Sequence, residues 1–509
     1  MKGAEIIVKV LQEQKVDTVF GYPGGTILSL LDALRNKRGI KLYTNCHEQF
    51  CTHAAEGYAR ATGKPGVVIA TSGPGATNLV TGLANAYMDS TPMVAITGNV
   101  PLHLLGRDAF QEIDIYGVTM SITKHNFIVK SVESLADTLR RAFRIASSGR
   151  KGPVLVDIPK NIFDECAKYV PATPSEEAFP LPRGEELREA AELIDRSSRP
   201  VLCLGGGVIA SNAAEKVYTF AKKLGTPVIT TAMGIGGFPQ DDEQYLGLVG
   251  LQPNPSTLQA LRDCDLFIGA GLRFSERMLE NLRLHSPHCK ILHLDIDEAE
   301  IGKNLPAYSA VVGDLSHALD SLLPLVSAKA PRYYPDAVPR DPLYTQIFGA
   351  FPDAVYTTEV GAHQIKACHS LPIVKPRHFI TSGGLGTMGF GLPAAIGAAI
   401  ATGKRVVNLA GDGSFAMNLQ ELSTAVKYRL PITQVVFNNR RLGMICDLQD
   451  RDYEGRHILT ETPAMDLPAM ATAMGVPFVR STDSEGLPAV LAEARKEKGV
   501  CFIEVLTDH

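Results

Sequence analysis

The chain has 509 residues, 45% hydrophobic and 20% charged, which is enough apolar material for several packed cores in about three domains. Its 50 Lys and Arg against 54 Asp and Glu give a formal net charge of -4 with no run of six basic residues, which argues against a nucleic-acid or anionic-membrane partner. Nine cysteines are scattered without a CxxC, so neither a zinc site nor a disulfide framework is expected, and Trp is absent altogether.

The N-terminal stretch MKGAEIIVKVLQEQKVDTVF breaks its apolar positions with Glu5, Lys9, Gln12 and Glu13. That pattern predicts an amphipathic helix running into a strand, not a signal peptide. The small apolar segment 391–403 is too short to span a bilayer, and a cytoplasmic protein is expected. Three α/β blocks follow. In the first, 1–165, the runs VDTVFGYPGG, PGVVIATSGPG and PMVAITGNV each end in a glycine-rich turn before a helical pattern. Residues 166–185 hold four prolines and read as a linker. The second block, 186–325, carries the strand-like runs PVLCLGGG, PVITTAMG, CDLFIGAG and KILHLDID. A second linker covers 326–341. The third block, 342–509, carries AVYTTEVG, RVVNLAGDG, ITQVVFNN and VCFIEVLTD. Strand, glycine turn and helix in repetition predict three doubly wound parallel-sheet domains.

In the third block, Gly411-Asp412-Gly413 and Asn438-Asn439 end two strands separated by one crossover. In a parallel sheet, ligands sit beyond the carboxyl ends of the strands, so Asp412 and Asn439 are expected side by side. Their oxygens are hard ligands suited to Mg²⁺, which takes its remaining ligands from water and phosphates. Gly411 and Gly413 permit close approach of a diphosphate, and a helix starting near Ser414 aims its first N–H groups at it. This spacing resembles the metal–diphosphate motif of thiamine-diphosphate enzymes. The resemblance implies Mg²⁺ held by Asp412, Asn439 and the main-chain carbonyl of Arg441.

The first block supplies His47-Glu48-Gln49, followed by HAAEGYARATGKPGVVIATSGPGATNLVTGLANAYMDSTPMVAITG. Together with TSGGLGTMGFGLPAAIGA in the third block, it resembles the catalytic subunits of acetolactate synthases over nearly the whole chain. The resemblance implies that the first domain binds the aminopyrimidine of the cofactor and the third its diphosphate. Glu48 is then the carboxylate that hydrogen-bonds the pyrimidine and favours its proton-abstracting form. Gly386 and Met388 hold the pyrimidine. Val360, Gly361, His363, Gly411, Gly413, Ser414, Gly443 and Met444 complete the cofactor site. Since this family builds each site from two subunits, a homodimer or homotetramer is implied, and a small regulatory subunit is a further partner.

The segment GRDAFQEIDIYGVTMSITKHNFIV and the lack of a His-His pair favour acetolactate synthases over pyruvate decarboxylases. By resemblance Gln111 and Lys124 line the substrate region, Lys124 as a point charge for a carboxylate, and Phe110 forms an apolar wall. The implied transferase decarboxylates pyruvate and joins the remainder to a second 2-oxo acid, giving 2-acetolactate for branched-chain amino acid biosynthesis. The middle domain resembles one that binds FAD, with Gly205, Gly206, Arg273 and Asp295 as its positions. The departures Leu248-Val249 and Phe274-Ser275-Glu276-Arg277 predict weaker flavin binding.

Other departures touch the chemistry. Leu448 stands where the family has a Trp that favours 2-oxobutyrate, which predicts weak preference for that acceptor. Phe50-Cys51-Thr52 replace small residues and are expected to narrow the pocket, and Ala362 replaces an amide. The chain ends at CFIEVLTDH where family members continue, and poorer water exclusion is expected from that. These differences leave open a related thiamine-diphosphate decarboxylase or lyase on another 2-oxo acid. A non-catalytic homologue and a flavin oxidase are weaker alternatives.

Overall fold

The computed structural model describes residues 1–35, 37–173, 179–334 and 338–507. Parts of both linkers, 174–178 and 335–337, lie outside the described residues. Three six-stranded parallel sheets are present. The first comprises β1 (Thr18–Gly21), β2 (Lys41–Tyr43), β3 (Gly66–Ala70), β4 (Met93–Asn99), β5 (His125–Ile128) and β6 (Pro153–Pro159), in the order β2-β1-β3-β4-β6-β5. The second comprises β7 (Pro200–Leu204), β8 (Val228–Thr230), β9 (Tyr245–Leu248), β10 (Leu266–Ala270), β11 (Lys290–Asp295) and β12 (Ser309–Val312), in the order β12-β11-β10-β7-β8-β9. The third comprises β13 (Val355–Thr358), β14 (Phe379–Ile380), β15 (Val406–Gly411), β16 (Ile432–Asn438), β17 (Phe478–Ser481) and β18 (Cys501–Leu506), in the order β14-β13-β15-β16-β18-β17.

The first and third sheets are wound alike, whereas the middle sheet has the 3-2-1-4-5-6 order of dinucleotide-binding folds. Central strands such as β3 and β4 are buried at every position, because helices cover both faces of a parallel sheet. That explains their continuous Val, Ile and Ala runs. The nine cysteines are unbridged, and six of them are buried, as expected of reduced core thiols. No helix of the described residues is long and apolar enough to cross a membrane.

Two helices weld the first sheet to the third. Glu48–Thr62 starts at an N-cap, His47, whose ring nitrogen accepts the Gln49 N–H, and ends at Gly63 with φ +80°. Gly391–Thr402 is buried along its first nine residues, as a helix apolar on all sides must be. The two backbones touch at glycines. A Cβ on Gly57 would lie 2.1 Å from the Ala394 carbonyl oxygen, and one on Gly397 would lie 1.8 Å from that of Ala54. Arg377 joins all three sheets' units, donating to the carbonyls of Arg60 and Ile209 at 3.0 Å each.

In an exposed helix, Gly→Ala stabilises by about 1 kcal/mol. Gly397→Ala is expected to do the opposite, lowering the urea midpoint by an amount worth about 1–3 kcal/mol, because the methyl group must push two backbones apart.

Candidate active site

At the carboxyl edge of the third sheet, β15 and β16 pair through Gly411 and Phe437, so the residues that follow them meet. Asp412 is buried and opens a short helix, Asp412–Phe415, two residues earlier than expected from Ser414. Burial holds its carboxyl above the ordinary value. The Thr462 hydroxyl and the backbone N–H groups of Asn439 and Gly413 pull the other way. Asp412 and Asn439 are thus neighbours. Asn439 Oδ1 accepts the Arg441 N–H at 3.2 Å, and a Cβ on Gly443 would come within 3.1 Å of Asn439 Nδ2. Arg441 O accepts from Gly443 N at 3.1 Å. Asn438, by contrast, is tied to Glu504 on β18 at 2.6 Å.

Beside this turn, the segment after β13 contributes Val360, Gly361 and His363. Gly361 has φ +152°, and the His363 ring lies over both Gly361 and Gly411. His363 is buried, its Nε2 has no hydrogen-bond partner among the described residues, and burial pushes its pKa down to about 4. A neutral imidazole with an unpaired buried nitrogen beside a glycine turn suits an anionic ligand such as a diphosphate. Ser414 donates back to Gly411 O at 3.1 Å and closes the same turn. Gly386, with φ +71°, has open space where a side chain would stand, its nearest neighbour being Val360 Cγ1 at 4.0 Å. Met388 is half-buried between Thr387 and Gly389. These features fit the diphosphate and Mg²⁺ half of the cofactor. Among the described residues no three His, Cys, Asp or Glu side chains cluster as a metal site.

Glu359, at the end of β13, is fully buried and accepts from Gly389 N at 2.8 Å, Leu392 N at 3.1 Å and Asn418 Nδ2 at 2.5 Å. Burial pushes it up to about 7, against those bonds. It anchors the start of the Gly391–Thr402 helix. Sequence reading gave it no such role.

Glu48 stands at the far end of the first sheet. Its Oε2 accepts from Asn78 Nδ2 at 2.9 Å, and its Oε1 faces the Gly75 turn. Gln111, at φ +60°, docks its backbone on the same turn, where a Cβ on Gly73 would meet Gln111 O at 2.8 Å. Glu48 and Gln111 are therefore brought together. Phe110 is 89% exposed, with no wall to form inside its own chain. Lys124 is placed elsewhere: its Nζ donates to the carbonyls of Ile145 at 2.5 Å and Ser148 at 2.7 Å, capping the helix Val132–Ser147. Phe50 packs on the His47 ring, and Thr52 Oγ1 bonds Glu48 O, so these bulky replacements go into helix packing.

A cavity of about 900 Å³ runs from the middle sheet to the third. It is lined by Gly205, Gly206, Arg273 and Asp295 on one side and by Val360, Gly386 and Met444 on the other. Its size and its position at the end of β7 fit a dinucleotide such as FAD. Gly205 is required by packing as well, since a Cβ there would lie 2.2 Å from Gly271 O. The altered residues Val249 and Phe274 to Arg277 also line the cavity. Asp89, Arg150 and Glu300 line it too and were not foreseen; Arg150 pairs with Glu300 at 2.7 Å. Glu48, Gln111 and Lys124 are not among the lining residues.

Comparison with known proteins finds relatives over the whole length of the chain. Models of the thiamine pyrophosphate enzyme family match in three places: the N-terminal TPP binding domain over 1–118, the central domain over 187–322 and the C-terminal TPP binding domain over 359–505. A probable acetolactate synthase large subunit of Methanocaldococcus jannaschii is 41% identical, covering all of this chain and 92% of that protein. The acetolactate synthase isozyme 2 large subunit of Escherichia coli is 40% identical, over all of this chain and 96% of its own length. The chloroplastic acetolactate synthase of Arabidopsis thaliana is 40% identical, over all of this chain and 82% of its own length.

His363 gives a pH signature. Folded, it stays neutral down to about 4, whereas unfolded it titrates near 6.5, so the unfolded chain binds more protons between those values. Its contribution to stability is therefore lost as pH falls through that window. Urea denaturation of cofactor-free His363→Gln is expected to show a shallower acid dependence, by up to about 1.4 kcal/mol per pH unit.

Proposed function

The chain belongs to the acetolactate synthase large-subunit family of thiamine-diphosphate enzymes, and we propose that it decarboxylates pyruvate and joins the product to a second 2-oxo acid, forming 2-acetolactate. The observation that carries this reading is the adjacency of buried Asp412 and Asn439 at the paired ends of β15 and β16. When bound, the thiazolium of thiamine diphosphate supplies the electron sink that decarboxylation of a 2-oxo acid requires.

The residues of the chain do the holding and the proton work. Asp412, Asn439 and the Arg441 carbonyl would hold Mg²⁺, and His363 would stand beside the diphosphate. Asn78 fixes one oxygen of Glu48, leaving Oε1 to share a proton with the pyrimidine ring nitrogen. The carboxylate is on the first turn of its helix. FAD would occupy the cavity between the middle and third sheets.

We further propose that each site is shared by two copies of the chain. Glu48 and Gln111 do not line the cavity reached by Val360, Gly386 and Met444, and large apolar side chains near both halves are left exposed. Phe110 is 89% exposed, Met417 52% and Leu459 91%, which is a surface suited to a second protomer. The relatives are large subunits, which supports a smaller companion subunit for this chain as well. Pyruvate is the expected donor substrate.

The reading is tested by incubating the protein with thiamine diphosphate, Mg²⁺ and pyruvate and identifying products by NMR. Acetolactate is expected, with Glu48→Gln slower by about 10²–10⁴-fold while it still binds cofactor. Acetaldehyde as the sole product would favour the related-decarboxylase reading, which the replaced pocket residues support. Leu448, 39% exposed on the helix Gly443–Tyr453, tests acceptor choice. In competition between pyruvate and 2-oxobutyrate, Leu448→Trp is expected to raise the share of 2-aceto-2-hydroxybutyrate by about tenfold, the scale set by roughly 1–3 kcal/mol of apolar contact.

A further inference from the structure

Thr462 has a place at the candidate metal turn that its sequence position gives no hint of. Its hydroxyl donates to Asp412 Oδ2 at 2.5 Å. Its backbone N–H donates to Arg440 O at 3.1 Å, and two residues earlier Thr460 O accepts from Leu442 N at 2.7 Å. Arg441 and Glu461 thereby form an antiparallel bridge. These two bonds bracket Arg441 and hold the strand end just after Asn439, and Arg440 there has φ +56°, a conformation costly to a side-chain-bearing residue unless it is held from outside. The Thr462 methyl also meets the inner face of the Asp412 turn, where a Cβ on Gly413 would be 3.1 Å from Thr462 Cγ2.

We infer that Thr462 is a positioning residue for the divalent cation. Its hydroxyl occupies one oxygen of Asp412 and so orients the other toward the metal, while its backbone braces the turn that carries Asn439 and the Arg441 carbonyl. An outer partner of this kind fixes the rotamer of a ligating carboxylate, and its loss typically weakens metal binding about 10–100-fold. The inference rests on the reading of Asp412 and Asn439 as Mg²⁺ ligands.

The test uses the full chain, stripped of cofactor, with thiamine diphosphate saturating and Mg²⁺ titrated. The readout is thiamine diphosphate retained on the protein after desalting, measured as thiochrome fluorescence, so that turnover plays no part. Thr462→Val and Thr462→Ala are both expected to raise the half-saturating Mg²⁺ concentration about 10–100-fold, with the melting of the cofactor-free protein unchanged. Thr462→Ser, which keeps the hydroxyl, should stay within about twofold of the parent, on the same argument. Two hydroxyl-free substitutions are used so that misfolding of one does not decide the matter. Parent-like Mg²⁺ dependence in Thr462→Ala, or a lowered melting temperature that Thr462→Ser shares, overturns the inference. Asp412→Asn separates the two levels. If it abolishes retention while Thr462→Ala is normal, only the role of Thr462 falls. If it retains cofactor like the parent, the ligand reading itself falls.

Discussion

The contact on which the rest of the molecule depends is the side-chain-free crossing of the helices Glu48–Thr62 and Gly391–Thr402. Glycines at 57 and 397 let each backbone rest on a carbonyl of the other, closer than any Cβ would allow. Both helices also bear on the chemistry at their starts. Glu48 is the first residue of one, and the other begins where Glu359 gathers the N–H groups of Gly389 and Leu392. A shift of one helix along the other would therefore move Glu48 and the Gly386–Met388 segment together. Close packing transmits such displacements because the interior has no slack to absorb them.

Around that crossing the molecule buries charge, and the arrangement of partners shows why it can. Glu56 is fully buried and pushed up to about 8 by burial and by the nearby Asp89, while Asn85 and Thr91 donate to it. Asp89 accepts from Gly383 N at 3.0 Å and Gly384 N at 2.7 Å and lies 3.5 Å from Arg60. The glycine loop that lines the cavity is thus pinned by a carboxylate at the end of the helix Val80–Met88 of the first domain. Unpaired, such a group would cost several kcal/mol; fully bonded, it fixes one geometry for the loop. Rigidity of this kind suits a site whose task is to orient a cofactor and exclude water.

Much of this was legible in the sequence, and the part that was not has a physical reason. Central strands such as β3, β4, β15 and β16 announce themselves as largely apolar runs ending in a glycine turn or, for β16, in Asn438-Asn439, because both of their faces are covered. The strands not foreseen were β5, β9, β12, β14 and β17, and all of them are sheet edges. Those are short, two to four residues each, so they carry too few positions for a pattern. Asp412 and Asn439 were visible because a parallel crossover fixes where strand ends lie. Thr462 was not, since it reaches Asp412 from 50 residues away through an irregular segment. Lys124 shows a further limit of spacing: expected as a substrate contact, it donates to the helix-terminal carbonyls of Ile145 and Ser148, and sequence spacing cannot tell the two roles apart.

The central claim is that Glu48 of one protomer and Asp412 of another serve the same site. Mixing two separately inactive chains tests it most directly. When Glu48→Gln and Asp412→Asn chains are unfolded together and refolded, or co-expressed, each heterodimer holds one site with both native residues if the sites are shared across the two-fold axis. Acetolactate formation should then return to about a quarter of the parent level for random pairing in a symmetric dimer. A mixture as inactive as either variant alone, with heterodimers demonstrably present, would contradict the account and place both residues in one chain's site.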